Sequence, residues 1–455
     1  MGAALSAWPQ FRGVRTVTAG GATGTVVRCG LTDTMLADLS VSVVHFYERA
    51  LDEDRLAAGL AAALAAVPEF GGRLRTADDG VLEIVCDDAG VPMAAYEVDG
   101  TLEELMGRVT APGGGDLVDP VDAAKARGGG LPLFTVRVTR PSAGGTVLGC
   151  SWHHAVGDLQ SFMLLMRAWS AAVEGGAAEP AVQVVDREAY LERHLPATDC
   201  GRPGFRVPDA AEAAALAAEV AAAGRANRTL QVFFSEEEVA RLHRETADAA
   251  GRRLSASDAL TAHVVATLRE LDGDTEARWV TVPVNVRRAL GLPAALVGNP
   301  LSEIHLSWAP AQGRPALAAA LRDAVLRFSE DHLNLRSNLD FLRALGPERT
   351  GECVPLGFDP ANRRFSLSNW SRFGLYEVVF EGQPPVFFSP AGNFPVPWMS
   401  WMAEGFGGRG SLLTVVLPAR LAARLRGEAG RAALHRHRRA EDGLPALASS
   451  LGKLL

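Results

Sequence analysis

The sequence predicts an α/β protein of two lobes, each a mixed β-sheet flanked by helices, joined by a long crossover. Three observations predict it. The same alternation of apolar β-branched runs and helical periodicity appears on both sides of the chain's middle. Between about 177 and 227 the composition changes, with Pro180, Pro196, Pro203 and Pro208 followed by a run of alanines. That stretch reads as an extended connection with one exposed helix. Finally, 455 residues that are 48% hydrophobic and 22% charged supply ample core for two or three domains, or for one large two-lobed chain. The expected division is 1–180 for the first lobe, 181–227 for the crossover and 228–455 for the second lobe.

In the first lobe, "VSVVHFY" from Val41 to Tyr47 is β-branched and apolar, a strand. "DEDRLAAGLAAALAAV" from Asp52 to Val67 has helical periodicity and acidic residues in its first turn, and Gly71 and Gly72 break it. "GVLEIVCDD" is a strand running into a turn. "LPLFTVRVTR" and "GTVLGCSWHH" are two strands separated by the turn Pro141-Ser142-Ala143-Gly144-Gly145. The segment after Asp158, "LQSFMLLMRAWSAAVEGG", is an amphipathic helix closed by Gly175 and Gly176. In the second lobe, "RTLQVFF" is a strand, and Ser235 with Glu238 is expected to form a capping box on the helix after it. "SASDALTAHVVATLREL" is a helix capped by Ser255 or Ser257, and "RWVTVPVNVR" is a strand.

Composition excludes several function classes. A net charge of −8 argues against a nucleic-acid binder. No run of about 20 apolar residues exists, so no membrane span is expected. The five cysteines are odd in number and form no CxxC pair, which fits a reducing, cytoplasmic setting. The amino terminus lacks the layout of a secretory signal, although "MGAALS" fits the loose Gly2/Ser6 myristoylation pattern.

The chemistry concentrates in "GCSWHHAVGDLQSF", residues 149–162. His153 and His154 end a strand, and Asp158 stands at the start of the next helix. Neighbours on an extended chain point to opposite faces, so one imidazole is expected in a cleft and the other in the interior. A cleft histidine suits a general base near neutral pH, and Asp158 suits a helix cap or an ion pair. Packing alone is the competing explanation for either histidine. Adjacent histidines rarely ligate one ion and no third-ligand cluster is apparent, so no metal is expected.

Residues His154-Ala155-Val156-Gly157-Asp158 match the HxxxD motif of the BAHD acyltransferases, relatives of chloramphenicol acetyltransferase and of peptide-synthetase condensation domains. The resemblance extends through "VPEFGGRL", "GVLEIVCDDAGVPMAAYEV", "PLFTVRVTRPSAGGTVLGCSWHHAVGD", "LSASDALTAHVVATL", "VPVNVRRALGLPAALVGNP" and "SLSNWSRFGLYEVVFEGQPP", in the family's order. Three elements depart from the pattern. Leu159 replaces the glycine that usually follows the aspartate. Asn285-Val286-Arg287-Arg288-Ala289 keeps only the first arginine of D-x-R-x-R in place. Val379-Phe380-Glu381-Gly382 is an eroded DFGWG, an element thought to lie away from the catalytic centre.

The resemblance implies two chloramphenicol-acetyltransferase-like lobes with the site in a solvent channel between them. It implies acyl transfer from a coenzyme A thioester to a hydroxyl or amine of a specialised metabolite. His154 would be the base, transfer would be direct, and acyl-CoA would be a co-substrate with no tightly bound cofactor. Asp158 would be tied to Arg287, with Gly157 supplying the tight turn between base and bracket. Ser368, Asn369 and Trp370 fall where relatives contact acceptor or oxyanion, with an ordinary buried strand as the alternative. Ser255 and Ser257 open a helix that could attract the coenzyme's phosphates, or simply cap it. Gly298 and Asn299 would let the backbone pass the pantetheine arm, or form a plain turn. His263 is expected in the core. The segment at about 385–405 would cross back to extend the first sheet. A monomer is expected. The competing readings are a transferase using a carrier-protein thioester and a non-catalytic scaffold of the same fold.

Overall fold

A computed structural model describes residues 8–110, 114–359, 365–392 and 396–448. The Gly2/Ser6 pattern lies outside the described residues. Two six-stranded mixed sheets dominate. The first runs, in spatial order, Gln10–Val17, Val91–Val98, Phe134–Pro141, Thr146–His153, Ser40–Tyr47 and Phe387–Pro390. The second runs Arg228–Phe234, Ser411–Leu417, Met399–Glu404, Phe365–Asn369, Arg278–Asn285 and Leu301–Trp308. The strand Phe387–Pro390 comes from the second half of the chain, yet it pairs antiparallel with Ser40–Tyr47 of the first sheet. Only that part of the 385–405 segment crosses back. Met399–Glu404 stays in the second sheet, between Phe365–Asn369 and Ser411–Leu417.

Helices Glu53–Ala66 and Leu159–Val173 pack side by side against the first sheet. Gly59 permits their close approach, since a Cβ there would stand 2.4 Å from Val173 Cγ2. Trp152, at the end of its strand, stacks on Phe162 of the second of these helices, ring centroids 4.2 Å apart and nearly parallel. The burial of such aromatic pairs fixes the strand against the helix, and so fixes the loop between them.

In the second lobe, helices Glu236–Ala250, Ala256–Asp272, Arg314–Leu326 and Ala419–Arg426 cover one face of the sheet. Ser235 caps the first by accepting from Glu238 N, but the reciprocal half of the expected capping box is not made. The Glu238 carboxylate instead meets His435 and Arg438, each at 2.9 Å, because the charge-assisted bond to a guanidinium outcompetes a backbone amide. Ser255, not Ser257, is the cap of Ala256–Asp272, in a full capping box with Asp258. His263 lies in the core of that helix, 2.6 Å from Leu434 O.

The crossover holds the exposed helix Ala210–Ala226, which has no buried residue, and a shorter helix, Arg187–Glu192, which does. The eroded Val379–Gly382 element docks on the end of helix Leu159–Val173. The Ser170 hydroxyl donates to Val379 O at 2.7 Å, and Gly382 N donates to Glu174 at 3.2 Å. Ser170 lies three helical turns and more along from Asp158, about 18 Å at 1.5 Å per residue. No helix among the described residues is long and apolar enough to cross a membrane.

Candidate active site

The strand Thr146–His153 ends in a turn, and Asp158 then caps the helix Leu159–Val173. His153 points into the interior and is fully buried. Its Nδ1 accepts from Ala155 N at 3.1 Å, and its Nε2 lies 3.3 Å from Ala123 O. Burial pulls its pKa down to about 4, so it is neutral. His154 turns the other way and is partly exposed.

His154 Nδ1 lies 3.2 Å from Asn299 Oδ1. The orientation of that amide is fixed by its other end, because Asn299 Nδ2 donates to Asp33 Oδ1 at 2.7 Å and to His154 O at 2.9 Å. With both amide protons given to acceptors, Oδ1 can only accept, so Nδ1 of His154 carries the proton. Nε2 then holds the lone pair a base needs. Burial moves the imidazole pKa below its ordinary 6.5, and its own backbone carbonyl, Asp158, Asn299 and Asp33 work in the opposite direction.

Asp158 makes no hydrogen bond to His154. Its Oδ1 accepts from Ser161 N, Ser161 Oγ and Arg287 Nη2, each at 3.0 Å, and its Oδ2 accepts from Arg287 Nη1 at 2.5 Å. Arg287 Nε also donates to Leu296 O, and its Nη2 reaches Leu296 O, Gly298 O and Ser161 Oγ. This buried, bidentate pair joins the first lobe's motif to the second lobe's strand end. Asn285, which stands where the pattern has aspartate, accepts from Arg287 N and donates to Gln160 Oε1 at 2.5 Å. The amide therefore turns the backbone as an aspartate would and adds a second tie between lobes.

Gly157 is required by space and not by a left-handed turn. A Cβ there would stand 2.4 Å from Ser161 Cβ and Oγ. Leu159 needs no glycine's freedom, because it is the first helical residue and buries its side chain in the first lobe's core. Gly298 does sit at a positive φ of 137° and passes close to Arg187.

The remaining expected site residues are placed differently from one another. Trp370 is buried against Phe388 and Trp401, and its Nε1 donates to Ser368 Oγ at 3.0 Å. Asn369 donates to Ser257 Oγ at 2.9 Å and accepts from Ser371. The indole and amide protons named here thus go to neighbouring residues, while the Ser368 hydroxyl accepts here and keeps a proton to give. The Ser255 hydroxyl accepts from Asp258 N as a cap, and Ser257 faces Asn369. A cavity of about 430 Å³ lies elsewhere, between helix Ala210–Ala226 and the second sheet around Trp398, and His154 does not line it.

Two residues that sequence reasoning missed complete the arrangement. Arg187, from the crossover, donates to Ala155 O and Val156 O, each at 2.9 Å, within the HxxxD loop itself. Asp33, 2% exposed, accepts from Gly30 N at 2.8 Å and stands 3.5 Å from Arg187. Asp186 before Arg187 marks a helix cap, but nothing in the sequence marks the arginine as buried.

Two α/β lobes bridged at a histidine-bearing loop define a two-lobed acyltransferase. Comparison with known proteins narrows this further. The model of the Transferase family matches residues 28–419, and the chain belongs to that family, the BAHD acyltransferases. It is an acyltransferase. It is 27% identical over 410 residues to agmatine hydroxycinnamoyltransferase 1 of Oryza sativa subsp. japonica, covering 86% of this chain and 89% of that one. It is 28% identical over 358 residues to tryptamine hydroxycinnamoyltransferase 2 of the same plant, covering 74% and 77%. The crystal structure of F. graminearum TRI101 with coenzyme A and T-2 mycotoxin superposes with a TM-score of 0.70 at 15% identity, covering 89% of this chain and 98% of that one.

Proposed function

We propose that the protein moves an acyl group from a coenzyme A thioester to an amine or hydroxyl of a specialised metabolite, by direct transfer with His154 Nε2 as the base. The observation that carries this is the His154–Asn299 hydrogen bond at 3.2 Å, which leaves Nε2 as the acceptor on a partly exposed ring. The acceptor's nitrogen or oxygen attacks the thioester carbonyl while His154 takes its proton. The tetrahedral oxyanion collapses, the carbon–sulfur bond breaks, and His154 returns the proton to the departing thiolate. The products are an amide or ester and free coenzyme A. Ser368 is the donor we assign to the oxyanion, with Asn369 and Trp370 holding it in place. Ser257 and Ser255 at the helix start, and the backbone at Gly298, are assigned to the coenzyme's path.

An amine acceptor is favoured, because the relatives named above act on agmatine and tryptamine. His154, Asp158, Arg287 and Asn299 come from one chain, so a monomer suffices. The buried free thiols Cys29, Cys86 and Cys150 fit a reducing, cytoplasmic compartment.

The test is coenzyme A release from a panel of hydroxycinnamoyl-CoA and acetyl-CoA donors with agmatine, putrescine, tryptamine and simple alcohols. A phosphopantetheine carrier protein loaded with the same acyl groups runs in parallel. Turnover with the free thioesters supports the proposal, and turnover with the loaded carrier alone refutes the donor assignment.

A further inference from the structure

A second buried ion pair, Asp33–Arg187, reaches His154 through one intermediary. Asp33 holds Asn299 Nδ2 at 2.7 Å, and Asn299 in turn holds both Nδ1 and the backbone carbonyl of His154. Arg187 stands beside Asp33 at 3.5 Å and grips the carbonyls of Ala155 and Val156. All three side chains are buried, with Asp33 at 2%, Arg187 at 7% and Asn299 at 5% exposure.

The chemistry of the amide gives this arrangement a purpose. An asparagine side chain can rotate by half a turn and exchange donor for acceptor at little steric cost. If Asn299 did so, its NH₂ would face His154 Nδ1, and its oxygen would face the Asp33 carboxylate and the His154 carbonyl. The ring would then carry its proton on Nε2, where it is no base. A carboxylate at 33 makes that flip unfavourable, because two acceptors would meet. The charge also acts at longer range. The charged and titratable groups around His154 are Asp158 with its partner Arg287, Asp33 with its partner Arg187, and neutral His153.

We propose that Asp33, braced by Arg187 and acting through Asn299, is a positioning residue that locks His154 in its basic tautomer. The proposal rests on His154 being the base, so its test includes a reading that needs no turnover. Nitrogen-15 labelling of the histidines identifies the His154 ring by the signal lost in His154→Ala.

In the native protein that ring reads Nδ1–H, and an Nε2–H ring overturns the proposal. In Asp33→Asn the ring signals move toward a mixture of tautomers. The kcat falls about 100-fold, the scale expected of a misplaced reacting group, while KM for both substrates stays within about twofold. The acid limb of the kcat/KM profile moves to lower pH, because a negative charge that favours the imidazolium is gone. A variant that loses only thermal stability, with ring signals and profile unchanged, overturns the proposal. If Asp33→Asn does not fold, Asp33→Glu carries the tautomer and kcat readings but not the shift of the acid limb, since it keeps the charge but displaces the carboxylate by one methylene. Native protein without His154-dependent turnover, but with an Nδ1–H ring that shifts in the variant, refutes the proposed function and leaves the positioning role standing.

Discussion

Arg287 Nη1 and Asp158 Oδ2 stand 2.5 Å apart with both side chains buried, one from each lobe. The pair is built as a bracket and not a relay, because Asp158 spends its carboxylate on Arg287 and Ser161 while His154 Nδ1 donates to Asn299 Oδ1. This division sets what each substitution should do.

Removing one partner of the bracket leaves a buried charge alone. Arg287→Ala should lower unfolding stability by about 3–5 kcal/mol. Urea unfolding measures it, and a loss under about 1 kcal/mol would show that the pair is screened by water.

Gly157→Ala should destabilise by about 1–3 kcal/mol, because its methyl would overlap Ser161. Ser161→Gly in the same chain removes the clashing atoms and should recover part of that loss. Thermal melts of the two single variants and the double variant form the cycle, and strict additivity would contradict the overlap.

Acid sensitivity should come from buried neutral histidines. Burial lowers the pKa of His45 to about 3, and both its ring nitrogens lack a hydrogen-bond partner among the described residues. His263 is lowered to about 3 and His153 to about 4. Below the ordinary value of 6.5 the unfolded chain binds more protons than the folded one, so stability falls as pH drops from 6.5 toward these values. His45→Leu should therefore gain in melting temperature relative to the native protein as pH is lowered from 7 to 5. Parallel curves for the two proteins would exclude His45 as a source.

The pH dependence of transfer has a stated sign as well. Burial lowers the His154 pKa from the ordinary imidazole value. With a hydroxyl acceptor, whose own proton does not titrate near neutrality, the acid limb of the kcat/KM profile should therefore have its midpoint below about 6.5. A midpoint above that value would require a base with a raised pKa.

Much of this was legible in the sequence because it is local or carried by ordered motifs. The i, i+4 spacing of His154 and Asp158 at a strand-to-helix junction implies that they serve different directions, and the matched segment supplies Arg287. What lay beyond reading comes from distant pairings. Asp33 and Arg187 meet across the first lobe and the crossover, and neither has a local pattern that distinguishes it from a surface charge. Asn299 reads in the sequence as backbone passing the pantetheine arm or as a plain turn, because nothing local reveals a partner 145 residues away. The Ser235/Glu238 pair shows the converse failure. Its spacing is that of a capping box, but two tertiary partners, His435 and Arg438, take the carboxylate. The 385–405 segment divides between sheets because Phe387–Pro390 extends an open edge beside Ser40–Tyr47, while Met399–Glu404 fills a place in the second sheet.

The central claim is that His154 is the base of an acyl transfer from coenzyme A. Its most direct test is the rate of coenzyme A thiol release with a hydroxycinnamoyl-CoA and agmatine, comparing the native protein with a folded His154→Ala variant. The account predicts acceptor-dependent release that falls about 10³-fold in the variant. Release at an equal rate in both proteins would contradict it.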